Sequence, residues 1–296
     1  MRLHSVLPAL ALGLLVPIVT ASEDYIRIPD PNLLARIIAL GTDLNDDGRI
    51  QPAEAAAVTE LKLDGLGIIN AQGLNRFANL ETLWLRRNQL TSIDLSGLGH
   101  LREVLLAGNR LSLVRLQGLD RLEELQVAQN PLGGTLDLRH LKNLKGLYAY
   151  QCGLTAIDVS GLTRMVNLYV YDNALASLAL SGMTQLVDLR IDNNRFTRLD
   201  LSGLSGLRDV WAENNSIGEL VTTGADALVY VKLAGNQVPG HDFTHATTLE
   251  TIILNNNPLA WIDVRGLHKL TTLLCANSHM TTLNLSGTAS LQTLDW

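Results

Sequence analysis

A constant step constrains this chain more than any other feature. The pattern Leu80-x-x-Leu83-x-Leu85 returns at Leu101 and Leu122, 21 residues apart. One extra residue near Gly133-Gly134 moves the next start to Leu144. The step of 21 then holds through Met165, Leu186, Leu207, Leu228, Leu249, Leu270 and Leu291. A unit this short cannot bury its own apolar face, so its copies must stack into a solenoid with a shared core. Within each unit the Leu83/Leu85 pair alternates with polar neighbours, as a half-buried strand does. Stacked units therefore place their strands side by side in one parallel sheet.

Asn88, Asn109, Asn130, Asn173, Asn194, Asn215, Asn236 and Asn257 recur where the chain leaves that strand. A side-chain amide there can satisfy free backbone groups of neighbouring coils. Cys152 and Ser278 stand in its place in two units, where the ladder is expected to be weaker. The whole unit reads L-x-x-L-x-L-x-x-N-x-L-x-x-L-x-L-S-G-L, and in this it resembles the leucine-rich repeats of secreted bacterial surface proteins of the internalin-like, 21-residue type. The resemblance covers residues 58–296, about eleven units of 21–22 residues with the last incomplete. It implies an α/β solenoid, a horseshoe or arc with one parallel β-sheet on its concave face, and binding rather than catalysis. The unit around Leu228 departs from the pattern: Pro239-Gly240-His241-Asp242-Phe243-Thr244-His245 replaces the usual leucines. A surface bulge is expected there. Zinc binding by the His-x3-His pair lacks a third ligand.

The rest of the composition mostly excludes. A net charge of −6 argues against nucleic acid, which is bound by basic surfaces. Residues 1–22 read as a secretory signal peptide, with Arg2 before an apolar run from Val6 to Thr20 and small residues at Ala21 and Ser22. That run is short of the ~20 residues needed to span a bilayer, so the mature chain is expected outside the cytoplasm, extracellular or periplasmic, with no membrane span. Cys152 and Cys275 lie about six coils apart. At ~4.8 Å per coil they are too far apart for a disulfide, which leaves two buried free thiols.

Residues 23–57 have a different texture and stand where a solenoid needs a cap. Asp30-Pro31 starts a helix whose apolar face is Leu33, Leu34, Ile37, Ile38 and Leu40, closed by Gly41. Asp43-Leu-Asn45-Asp-Asp47-Gly48-Arg49-Ile50-Gln51-Pro-Ala-Glu54 then matches the calcium-loop pattern D-x-[DN]-x-[DN]-G-x5-E throughout. Calcium takes six to eight hard oxygens. Asp43, Asn45, Asp47 and Glu54 offer side-chain oxygens, Arg49 its carbonyl and Gln51 a ligand through water. The helix–loop–helix resembles an EF-hand and is similar to the N-terminal caps of internalin-like proteins. A structural Ca2+ is the cofactor expected.

The places between the inward leucines face solvent. Read down the repeat, the middle place carries Trp84, Leu105, Gln126, Tyr148, Tyr169, Arg190, Trp211 and Lys232, and the next carries Arg86, Ala107, Ala128, Tyr150, Tyr171, Asp192 and Glu213. The preceding place carries Glu103, Glu124, Asn167, Asp188, Asp209 and Tyr230, so five of six tyrosines and two of four tryptophans share one surface. An aliphatic core does not require this, and aromatics with arginine are the residues that anchor interfaces. The expected ligand site is Trp84, Tyr148, Tyr150, Tyr169, Tyr171, Arg190, Asp192, Trp211 and Glu213, taking a protein or glycan. Two other readings stand beside this one. Asp192 and Glu213, on adjacent coils, approach the ~5 Å separation of a retaining glycosidase pair, though on an open sheet without walls. A structural spacer within a longer surface protein is the other, because Leu291-Gln-Thr-Leu294-Asp-Trp296 stops inside a strand.

Overall fold

The computed structural model describes residues 25–296; the expected signal peptide lies outside them. Twelve three-residue strands, from Glu60–Lys62 to Thr293–Asp295, form one parallel sheet in chain order. Its register is that of the repeat: Trp84 pairs with Leu105, Leu105 with Gln126, Gln126 with Tyr148, and Tyr148 with Tyr169. The central residue of nearly every strand is buried, Leu83, Val104, Leu125, Leu147 and Leu168 among them, as alternation demands. One continuous core runs from Ile26 to Cys275. It is not wholly aliphatic, since Phe77, Phe196 and Phe243 are among its largest fully buried side chains.

The asparagine column works as a ladder. Asn109 donates from Nδ2 to the carbonyls of Leu85 (2.8 Å) and Leu106 (2.9 Å), and its Oδ1 accepts from Leu90 N–H (3.1 Å). Each later asparagine repeats this three-way bond one coil on. Cys152 makes only two sulfur contacts, to Val127 O (3.2 Å) and Tyr150 O (3.3 Å). The amide that an asparagine there would have capped, Leu132 N–H, bonds the Asn130 carbonyl instead (2.8 Å), and Gly133 N–H bonds the Cys152 carbonyl (3.0 Å). The extra residue and the missing asparagine are one local rearrangement, made possible by left-handed Gly133 and Gly134.

The Asp-Leu-Ser-Gly turns have a simple cause. Asp94 Oδ1 accepts from Ser96 N–H (2.9 Å), and Asp158 and Asp200 repeat the contact two residues on. Four two-stranded ribbons form beside these turns, such as Ser92–Asp94 with Leu113–Arg115. The repeat pattern gives no sign of these ribbons. One of them corrects the expectation of a bulge: Gly240–Asp242 is a strand paired with Trp261–Asp263, and the 21-residue register is unbroken. Phe243 fills the core where a leucine stands elsewhere. His241 takes the place of an aliphatic residue, opposite Ile262 and 2.8 Å from the Thr222 hydroxyl.

At the start, α1 (Pro31–Ala39) is capped by Asp30, whose Oδ1 accepts from Asn32 and Leu33 N–H, both at 3.0 Å. Leu33 and Ile37 are fully buried, and Gly41 (φ 80°) ends the helix. Leu40 does not belong to the buried face; it is 44% exposed. The short α2 (Pro52–Ala56) follows the acidic loop. Asp30 Oδ2 also accepts from Ile69 (2.8 Å) and Asn70 (3.0 Å), tying the cap to the first coil.

Candidate functional site

The sheet's outer face brings eight of the nine expected ligand residues onto four successive coils, four of them on strands and four just beyond. Tyr148 and Tyr169 meet edge to face, with centroids 5.0 Å apart and an interplanar angle of 82°. Tyr150 and Tyr171 lie flat on each other, 4.4 Å apart at 6°. The two-by-two tyrosine block expected from the register is therefore present. All four rings are half-buried, and burial raises the hydroxyl pKa of Tyr148 and Tyr169 and pushes that of Tyr171 up to about 12.

Arg190 lies between two rings, 4.5 Å from the Tyr169 centroid and 4.7 Å from that of Trp211. Its Nη2 is 3.0 Å from Asp188 Oδ2, which the Tyr169 hydroxyl also donates to. Burial opposes the guanidinium's charge, but Asp188 and Tyr169 more than offset this and hold its pKa up. On the next coil Lys232 sits 4.7 Å from Trp211 and 2.6 Å from Glu213 Oε2. Tyr230 stacks on Trp211 from the neighbouring column, at 5.5 Å. Cations and aromatics thus alternate along the middle column. The sequence-based site omitted Asp188, Tyr230 and Lys232, whose signal was available: each stands in an outward column beside a named residue.

Trp84 is not part of this cluster. Two strands, those of Leu105 and Gln126, separate it from Tyr148. It has its own partners: Lys62 at 4.5 Å and Arg86 at 5.0 Å from the ring, with Arg86 held by Asp64 (2.7 Å). Leu105 and Ala128, expected on the open surface, are 3% and 1% exposed. Their short or compact side chains lie beneath longer neighbours on the same face.

Asp192 and Glu213 are both engaged. Asp192 Oδ1 accepts from Glu213 N–H (3.0 Å), closing a backbone group between coils, as Asp64 does for Arg86 N–H (2.7 Å). Burial raises the Asp192 pKa. A further feature escaped the sequence reading. The residue before each ladder position is left-handed, including Arg87, Gln129, Gln151, Asp172, Asn193 and Asn214. The last five of these link side chain to side chain along the sheet's edge, Gln129 to Gln151 (3.1 Å) through Asn214 to Asn193 (2.9 Å).

The acidic loop of the cap reverses direction around Gly48. Gly48 is left-handed (φ 77°), as the sharp reversal requires, and its N–H bonds Asp43 Oδ2 (2.8 Å). Asp43 Oδ1 and Asn45 Oδ1 share the Asp47 N–H (3.3 and 3.2 Å), and Gln51 Nε2 reaches Asp47 Oδ2 (2.8 Å). Gln51 Oε1 is buried without a partner. Glu54 faces the loop base, accepting from Leu44 (2.7 Å) and Gln51 (2.9 Å) N–H. The donor set and turn suit a hard cation, and Asp43, Asn45 and Asp47 already gather on one side. Asp43, Asp47 and Glu54 do not converge on one point, and among the described residues no three His, Cys, Asp or Glu side chains do so. Arg49, whose carbonyl completes the set, lays its guanidinium 4.5 Å from the Tyr25 ring.

With this geometry established, comparison with known proteins places the fold. The Leucine Rich Repeat family matches residues 79–101. The functional domain of InlJ from Listeria monocytogenes, which includes a cysteine ladder, superposes with a TM-score of 0.77 at 26% identity over 90% of this chain. The fold is a leucine-rich-repeat solenoid. The chain spans 62% of the InlJ domain's length. The internalin InlF of the same species gives a TM-score of 0.54 at 23% identity, over 91% of this chain and 96% of that one. The leucine-rich-repeat ectodomain of the plant receptor kinase GASSHO1/SCHENGEN3 from Arabidopsis thaliana, solved with CASPARIAN STRIP INTEGRITY FACTOR 2, gives 0.62 at 24% over 78% and 33%. No curated protein matches the chain. The internalin-like resemblance thus holds at the level of repeat and fold. In this leucine-rich-repeat chain the ladder is asparagine, with cysteine only at Cys152. Both thiols are buried, which pushes their pKa up to about 11, so neither has the character of a reactive thiolate. No described helix is long and apolar enough to cross a membrane.

Proposed function

We propose that this chain is a secreted recognition module that binds a protein or glycan across the outer face of its long sheet. The observation that carries this reading is the segregation of aromatic types. The phenylalanines fill the core, while four of the six tyrosines, whose hydroxyls favour a half-wet surface, gather on two adjacent coils next to those of Arg190 and Trp211. The fold adds support by analogy only: the plant ectodomain of this architecture was solved holding a protein factor. Catalysis by Asp192 and Glu213 is disfavoured because one caps a backbone amide and the other pairs with Lys232. Replacing Tyr150, Tyr171 and Trp211 with Ala is expected to abolish capture of ligands from protein and glycan arrays, with no change of fold by circular dichroism. An array profile identical to that of the unaltered chain would refute this site.

The loop from Asp43 to Glu54 is proposed to hold a structural calcium through Asp43, Asn45, Asp47, Gln51, Glu54 and the Arg49 carbonyl. Its support is the full ligand spacing together with left-handed Gly48 and the unpartnered Gln51 oxygen. At a hundredfold excess over Kd such an ion stabilises the folded state by ~2.7 kcal/mol. EDTA should therefore lower Tm in the native chain and leave Tm unmoved in Glu54→Gln. Equal melts of the native chain with and without calcium count against the site.

A further inference from the structure

The outer face contains a consistent internal rule about what settles on its rings. Lys62 lies over Trp84, Arg190 over both Tyr169 and Trp211, and Lys232 over Trp211. Each of these cations also has a carboxylate partner: Glu60 for Lys62 (2.9 Å), Asp188 for Arg190 (3.0 Å) and Glu213 for Lys232 (2.6 Å). Arg86 is likewise held by Asp64. Each of the face's cations that lies over a ring is thus already engaged by a carboxylate.

The remaining aromatics and acids are the complement of that rule. Among the described residues, no cation of the chain lies over the Tyr150–Tyr171 stack. Asp172, beside Tyr171 at the sheet's edge, accepts only from the neutral amides of Gln151 (3.0 Å) and Asn193 (2.6 Å). A half-buried tyrosine stack beside a carboxylate that no cation engages has the parts of a cation site.

We propose that the Tyr150–Tyr171 stack, with Asp172 beside it, receives arginine or lysine side chains of a cationic polypeptide. This rests on the reading that the sheet's outer face binds a ligand, and it narrows that ligand to a basic protein segment rather than a glycan. An extended segment repeats its side chains on one face every ~7 Å, so it can lay successive cations along neighbouring places of the sheet. The guanidinium is the better fit, because its plane stacks on a ring while its edge still reaches a carboxylate. Arg190 already makes that double contact with Trp211 and Asp188.

The test uses the full chain and four probes by isothermal titration: nona-arginine, nona-lysine, nona-glutamate and chitohexaose. Nona-arginine should bind most tightly and weaken between about 50 and 500 mM salt. Tyr150→Ala/Tyr171→Ala should weaken it by about tenfold or more, while Tyr150→Phe/Tyr171→Phe, which keeps both rings, binds as the unaltered chain does. Asp172→Asn should weaken it as well, whereas Asp120→Asn, the same charge change on an exposed loop away from the face, should not. Absence of nona-arginine binding, or equal binding by the Tyr→Ala double variant, overturns the proposal; the second outcome would mean only general attraction to an acidic chain. If chitohexaose or nona-glutamate binds and the Tyr→Ala variant loses it, the face is a ligand site of another chemistry, and the cationic assignment alone fails.

Discussion

Asn130 donates to Leu106 O (3.0 Å) and Val127 O (2.9 Å) and accepts from Leu111 N–H (3.0 Å), with 1% of its surface exposed. Alanine there leaves the Leu111 N–H without a partner and takes one of two donors from each of the Leu106 and Val127 carbonyls, a cost of about 1–3 kcal/mol. Urea unfolding of Asn130→Ala should show that loss. A loss below about 1 kcal/mol would mean water replaces the amide. His241 sets a pH dependence. Burial, with a smaller contribution from the nearby His245 charge, lowers its pKa to about 4. The folded state therefore prefers the neutral ring, so its contribution is complete above pH ~6.5, the unfolded value, and is lost as pH falls toward 4. We expect His241→Leu to flatten the decline in Tm between those limits, by about 3 kcal/mol at most; an unchanged slope would place the acid sensitivity elsewhere. The ladder role of the asparagines was legible from spacing alone. The histidine's environment was not, because a polar residue in an irregular unit reads as surface until its strand partner is known.

At the scale of elements, the cap shows how far local signals reach. Asp30-Pro31 and Gly41 mark the ends of α1, and both served as expected. What no local rule discloses is that the second Asp30 oxygen bonds Ile69 and Asn70, about forty residues on. Asp30 is therefore the hinge pin between cap and array, not merely a helix cap. Asp30→Ala removes four charge-assisted bonds and should cost about 2–3 kcal/mol, with earlier amide exchange at Ile69 and Asn70 than in the rest of the array. Exchange confined to α1 would show that only the cap function matters. The acidic loop is similar: its ligand spacing is explicit in sequence, but the direction of the Glu54 carboxylate toward Leu44 and Gln51 depends on how α2 leaves the loop.

Across the whole molecule, sequence determined the solenoid, its register and which residues share the outer face, because the period is covalent and each coil stacks only on its neighbours. The tyrosine block followed from counting, and its rings meet where the count put them. Tertiary structure decided which outward residues are accessible and which are already engaged. Leu105 and Ala128 face outward and are covered; Asp192 faces outward and caps a backbone amide. Arg190, Lys232 and Glu213 are engaged with one another's columns, and two strands separate Trp84 from the rest. A repeat fixes where a side chain starts, at its Cα, but its free end finds partners by length, charge and the packing of two coils at once. That is why the fold could be read along the chain, and why the partners on its binding face could be read only across it.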